Sequence, residues 1–290
     1  MTTATHTLGI PGATLVYDVH GPLPTADGRP PLFCIAQPMD ASGFGALTSY
    51  LTDRTVITYD PRGLGRSTRQ DDSLENTPEQ AADDVHRIIQ ELGVGPVEML
   101  ASSGGAINAL ALVAAHPEDV ATLVAHEPPL LATLPDADRA FTAERDVQSA
   151  YHDKGWGHGM AAFVALTSWH GEFTDDYAAQ SAPDPAAMGM PVDDDGSRED
   201  PLLSGVSNAI TAYRPDFAAI AAAPTRVVIA FGVESRNVLT GRTSVATAQA
   251  LGQDAVEFPS HHGGFMGGEF GYPGEPEAFA ARLRDVLDQA

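Results

Sequence analysis

Two serines stand side by side at Ser102-Ser103, followed by Gly104-Gly105, and only one of them sits in a small-x-Ser-x-small pattern. Ser103 has Ala101 two residues before it and Gly105 two after, whereas Ser102 would have Leu100 and Gly104. A nucleophile held on a strand-to-helix elbow needs small residues at both places, because the backbone turns too sharply for a larger side chain. The pattern selects Ser103, with Ala where Gly is more usual. A serine hydroxyl is a poor nucleophile unless a base takes its proton. That base is expected after the last strand, where Ser260-His261-His262-Gly263 offers two adjacent imidazoles. The backbone N–H of Gly104 would form half of an oxyanion hole, reinforced by the dipole of the helix beginning there.

These residues need a frame. Residues 97–100 read as a strand running into the elbow, and residues 106–115 as a helix that stops at His116-Pro117. Further short apolar or β-branched runs at 14–19, 32–36, 55–59, 120–125, 226–231 and 255–258 read as strands. Helical spacing covers 44–51, 78–92, 243–251 and 275–287, with Pro78 suited to a first turn and Gly93 to a helix end. Strands alternating with helices at this rhythm imply an α/β fold, a mostly parallel central sheet with helices on both faces.

The rhythm breaks between residues 131 and 215. Helical stretches at 138–154 and 159–169 appear there without a strand, and 182–201 is a Pro-, Gly- and Asp-rich loop. The expected organisation is a core of 1–131 and 216–290 interrupted by a helical insertion over 132–215. Trp156, Phe163, Trp169, His170 and Tyr177 would line a pocket or, more in keeping with aromatic residues on helices, form the insertion's own core. Asp193-Asp194-Asp195 lacks the other ligand positions of a calcium loop and reads as solvated.

Composition narrows the function classes. With 16 Lys+Arg against 39 Asp+Glu, the formal charge of −23 repels nucleic acid and anionic membrane surfaces. One cysteine, Cys34, excludes an intramolecular disulfide, and its apolar neighbours place it in a buried strand. Neither a secretory signal nor a membrane-length apolar run is visible, so a cytoplasmic protein acting on a small molecule is expected. A homodimer is compatible with the sequence.

Elbow, histidines and the string Asp60-Pro61-Arg62-Gly63-Leu64-Gly65-Arg66-Ser67 together resemble the α/β-hydrolase superfamily over nearly the whole chain. The string is similar to the D-x-R-G-x-G-x-S turn after the fourth strand of capped members, where Asp60 and Arg62 would be structural. The resemblance implies an insertion serving as a helical cap after strand 6, and no cofactor or metal. It favours His262 over His261 as the base, since Gly-Gly-Phe after it is similar to the family's His-x-Gly-Phe ending. Where most members carry the triad acid, just past strand 7, this chain has Ser235, preceded by Glu234. Some capped members, notably one branch of the haloalkane dehalogenases, take the acid from the end of strand 6, and Glu127 matches that position. Glu127 is the preferred acid and Glu234 the alternative. The second oxyanion donor, from the loop after strand 3, falls on Gln37 in Ile35-Ala36-Gln37-Pro38, where relatives have His-Gly-x-Pro.

The expectation is a serine hydrolase cleaving a small carboxylic ester, thioester or lactone through an acyl-enzyme. Ser103, His262 and Glu127 would form its triad, and Gln37 and Gly104 its oxyanion hole. A cofactor-free perhydrolase or a C–C bond hydrolase would use the same triad, and a non-catalytic ligand-binding relative would not need it. Dehalogenase and epoxide hydrolase chemistry is disfavoured, because those reactions require an Asp nucleophile where the elbow presents Ser.

Overall fold

The computed structural model describes residues 2–70 and 75–289, so Met1, residues 71–74 and Ala290, inside the expected core range, lie outside the described residues. Among the described residues, nine strands form one sheet: β1 Thr3–Ile10, β2 Ala13–His20, β3 Leu32–Gln37, β4 Val56–Asp60, β5 Thr68–Arg69, β6 Val97–Ser103, β7 Val120–His126, β8 Arg226–Gly232 and β9 Val256–Phe258. Their order is β1-β2-β4-β3-β6-β7-β8-β9, with β5 paired to β2. β2 runs antiparallel to β1 and β4, and every pair from β4 through β3 to β9 is parallel. Because the two-residue β5 is counted here, the strands expected as the sixth and seventh are β7 and β8.

The helices are α1 Gly45–Tyr50, α2 Pro78–Leu92, α3 Gly104–Ala115, α4 Ala137–Lys154, α5 Trp156–Ser168, α6 Asp175–Ala178, α7 Asn208–Thr211, α8 Phe217–Ala222, α9 Leu239–Ala250 and α10 Pro276–Leu287. α2 shows its start and stop chemistry plainly. Thr77 accepts the Gln80 N–H, Pro78 occupies the first turn, and Gly93 ends the helix at φ 62°.

Alternation along β3 explains why both faces must be covered. Phe33 and Ile35 join the core packed under α2 and α3, whereas Leu32, Cys34 and Ala36 join the one packed under α1 and α10. All six residues of β3 are buried. Burial pushes the Cys34 thiol up to about 12, so it is an inert packing residue at neutral pH.

Residues 137–211, between β7 and β8, hold α4 to α7 and no strand. Tyr151, Val147, Leu166, Phe173 and Leu203 bury one another there, joined by Leu131 and, from α9, Leu239. α8, by contrast, places Ile220 in the main core. Among the described residues, no helix is long and apolar enough to cross a membrane.

Candidate active site

β6 delivers Ser103 to the C-terminal edge of the parallel sheet, in register with Gln37 at the end of β3. Ser103 adopts φ 56° and ψ −133°, a left-handed conformation that a serine holds only under constraint from its surroundings. The constraint is the packing beneath the turn. A Cβ at Gly105 would lie 2.6 Å from the Ala36 Cα, so the helix and β3 cross at a distance only glycine permits. Ala101 is wholly buried on the other side. Steric demand on both flanks is thus the local reason for the small-x-Ser-x-small sequence.

Glu127 follows β7 directly and is also left-handed, at φ 52°. Its N–H donates to the Ala230 carbonyl at 2.8 Å, which turns the side chain toward the end of β8. The carboxylate is wholly buried yet fully engaged. Oε1 accepts the Gly232 N–H at 2.8 Å, and Oε2 accepts the Thr240 hydroxyl at 2.5 Å and faces His262 Nδ1 at 2.6 Å. Burial alone would raise its pKa. The hydrogen bond and charge of His262, then His126 and the Thr240 hydroxyl, outweigh burial and bring it down to about 2. An ionised Oε2 accepts only, so Nδ1 of His262 carries a proton, and in the neutral ring Nε2 is the nitrogen that keeps a lone pair.

His261 is occupied otherwise. Its Nδ1 accepts the Gly263 N–H at 3.1 Å, its Nε2 reaches the Pro273 carbonyl at 3.0 Å, and its ring lies against Tyr272. Glu234 is exposed, and Ser235, at the usual acid position, is buried. Of the two candidate acids, the structure brings Glu127 to His262.

Ser103, Gly104, Gln37 and His262 share the wall of one cavity of about 510 Å³. A Cβ at Gly104 would stand 2.9 Å from the Gln37 carbonyl oxygen, so the two backbone segments meet closely beside the serine. Apolar side chains from α4, α5 and α9 roof the cavity, among them Val147, Phe163, Leu166 and Leu239. Of the aromatic residues singled out in the sequence, Phe163 and His170 line it, while Trp156, Trp169 and Tyr177 pack in the insertion's own cluster.

Two residues at this site escaped the sequence reading. Thr240 arrives from α9, whose first turn is masked in sequence by Gly241. His126, wholly buried, sets Nδ1 3.3 Å from the Ser102 hydroxyl and Nε2 4.0 Å from Glu127 Oε1. Its position beside the acid was the available signal.

The D-x-R-G string holds the frame away from the cavity. Asp60 accepts the N–H groups of Ala41 and Arg66, and Arg62 pairs with buried Asp84 through two nitrogens at 2.6 and 2.9 Å. His86, His116 and Asp119 gather on the outer side of α2 and α3. The two imidazole rings lie face to face, 3.8 Å apart and 10° from parallel, and His86 Nδ1 stands 2.6 Å from Asp119 Oδ2. We read this cluster as a hydrogen-bonded staple.

A family model described as the alpha/beta hydrolase fold matches residues 41–195, more than half of the chain. The chain belongs to the alpha/beta-hydrolase family. This alpha/beta hydrolase is 28% identical over 294 residues to the "uncharacterized hydrolase YraK" of Bacillus subtilis (strain 168), covering 100% of this chain and 98% of that one. Its fold is similar to a thermophilic esterase from Thermogutta terrifontis, with TM-score 0.62, 21% identity, and 99% and 98% of the two chains covered. It is also similar to the enol-lactonase from Burkholderia xenovorans LB400, with TM-score 0.60, 20% identity, and 98% and 100% covered.

Proposed function

We propose that this alpha/beta hydrolase cleaves a small carboxylic ester, thioester or lactone through an acyl-enzyme on Ser103. The observation that carries the reading is a strained serine on the wall of the same cavity as His262, whose Nδ1 is held 2.6 Å from a wholly buried carboxylate. Ser103 Oγ attacks the acyl carbonyl carbon while His262 Nε2 takes the hydroxyl proton. The N–H groups of Gly104 and Gln37 hold the developing oxyanion, each contributing about 3 to 4 kcal/mol of transition-state stabilisation. Collapse breaks the bond to the leaving oxygen or sulfur, which receives the proton from His262. Water then repeats the sequence on the acyl-serine, releasing the acid and restoring the hydroxyl.

Glu127 keeps Nδ1 protonated and stabilises the imidazolium at each transfer. Residues 132–215 serve as the lid that shapes the cavity and excludes water. A small molecule is the partner this cavity suits, in a cytoplasmic setting consistent with the lone buried cysteine. The test is hydrolysis of p-nitrophenyl esters of increasing acyl length by wild type and Ser103→Ala. Turnover that vanishes with the hydroxyl supports the proposal, and turnover that persists in Ser103→Ala overturns it.

A further inference from the structure

Charge on the cavity wall is one-sided. Glu144 and Glu234 line it, and among the described residues no Lys or Arg does. Glu234 is exposed, while Glu144 is half-buried on α4, on the wall supplied by the inserted helices, whereas Ser103 lies on the wall supplied by the sheet. The Thr211 hydroxyl from α7 donates to the Asn208 carbonyl at 3.2 Å, and the neighbouring cation Arg145 is exposed and absent from the lining. Burial raises the Glu144 pKa, as expected for a carboxyl facing an apolar space. Gln148 and Asn208, which also line the cavity, bond each other reciprocally through both amides. That pairing uses one N–H of each amide and leaves each a second, neutral donor, with no positive charge to hold an anion. Leu131, Val147, Phe163, Leu166 and Ile210 give the same cavity an apolar lining.

We infer that the cavity accepts an apolar acyl chain ending in a hydroxyl or ammonium group and rejects one ending in a carboxylate, with Glu144 as the acceptor for that remote end. The inference rests on the acyl-enzyme reading above and adds the substrate class. A carboxylate entering this space loses its hydration, finds no cation, and meets a like charge. A hydroxyl or ammonium donates to Glu144 instead. The overall charge of −23 favours cations in the same direction, so the variant, not the wild type alone, isolates the local effect.

The experiment compares kcat/KM for four substrates at one fixed pH and ionic strength. The substrates are p-nitrophenyl hexanoate, 6-hydroxyhexanoate, 6-aminohexanoate and the adipate monoester. In wild type the hydroxyl and ammonium esters match or exceed hexanoate, and the adipate monoester falls at least about tenfold below it, a difference of about 1.4 kcal/mol. In Glu144→Gln the ratio of the ammonium to the carboxylate ester drops about tenfold. Equal rates for adipate and hexanoate, or an unchanged ratio in the variant, overturn the inference. Calorimetry with hexylamine and hexanoate reads the same preference without chemistry. If none of the four esters is cleaved, the acyl-enzyme reading fails by itself. Tighter binding of hexylamine that Glu144→Gln abolishes then upholds the cavity's preference, and equal binding overturns it.

Discussion

Glu127→Gln tests the geometry of the site with the smallest change of shape. The Gly232 N–H donates to Oε1, so the new amide oxygen must take that place or leave a buried backbone donor unpaired at a cost of about 1 to 3 kcal/mol. The amide NH2 then occupies the Oε2 position, facing Thr240 and His262 Nδ1. The Thr240 hydroxyl can rotate and accept. His262 can accept only by moving its proton from Nδ1 to Nε2, and an Nε2 that already carries a proton cannot take one from Ser103. A wrong tautomer in a triad costs on the order of 10⁴ in kcat. The expected result in an ester assay is therefore a fall in kcat of about 10³- to 10⁴-fold, with KM little changed and the melting temperature showing an intact fold. A loss of less than about tenfold would refute the reasoning, because Glu127 would then be a packing carboxylate and Nδ1 would be fixed by something else.

Other outcomes follow from the same structure. Burial holds His126 down to about 4 from an ordinary 6.5, so the unfolded chain binds more protons between those values. Stability intact above pH 6.5 is lost as pH falls toward 4, by up to about 3 kcal/mol, and His126→Asn flattens that part of the urea-unfolding pH profile. An equally steep profile in the variant places the acid sensitivity elsewhere. Gly105→Ala drives a Cβ to 2.6 Å from the Ala36 Cα, backbone against backbone, and lowers stability by about 1 to 3 kcal/mol in urea titration. An unchanged midpoint would show that the elbow has room to relax.

The elbow was legible because its cause is steric and local. Ala101, Ser103 and Gly105 lie within one turn, and the strand and helix on either side follow the expected periods. The parallel sheet was legible for a similar reason, since buried strands such as Leu32–Gln37 are continuous apolar runs. β1 was not read from sequence. Thr3, Ala4, Thr5, His6 and Thr7 are exposed and only Leu8 and Ile10 lean on the core, too short a period-two trace to mark a strand that its pairing with β2 defines. α9 begins at Leu239, four residues earlier than its periodicity suggests, because Gly241 weakens the pattern. That Gly is required by contact, as a Cβ there would meet the Ser235 carbonyl oxygen at 1.9 Å.

At the site, residue types announced the serine and the histidines, but the surroundings of Glu127 did not lie near it in sequence. Gly232, Thr240 and His262 come from 105, 113 and 135 residues away, and only the closed fold brings them to one carboxylate. Glu144 is harder still to see. On a charged helix it looks like any solvated acid, and only the cavity wall distinguishes it.

The most direct test is to treat the native protein with a fluorophosphonate and locate the adduct by peptide mass spectrometry. The account predicts stoichiometric phosphonylation of Ser103, slowed by orders of magnitude in His262→Ala. Modification at another residue, or no modification of the folded protein at all, would contradict it.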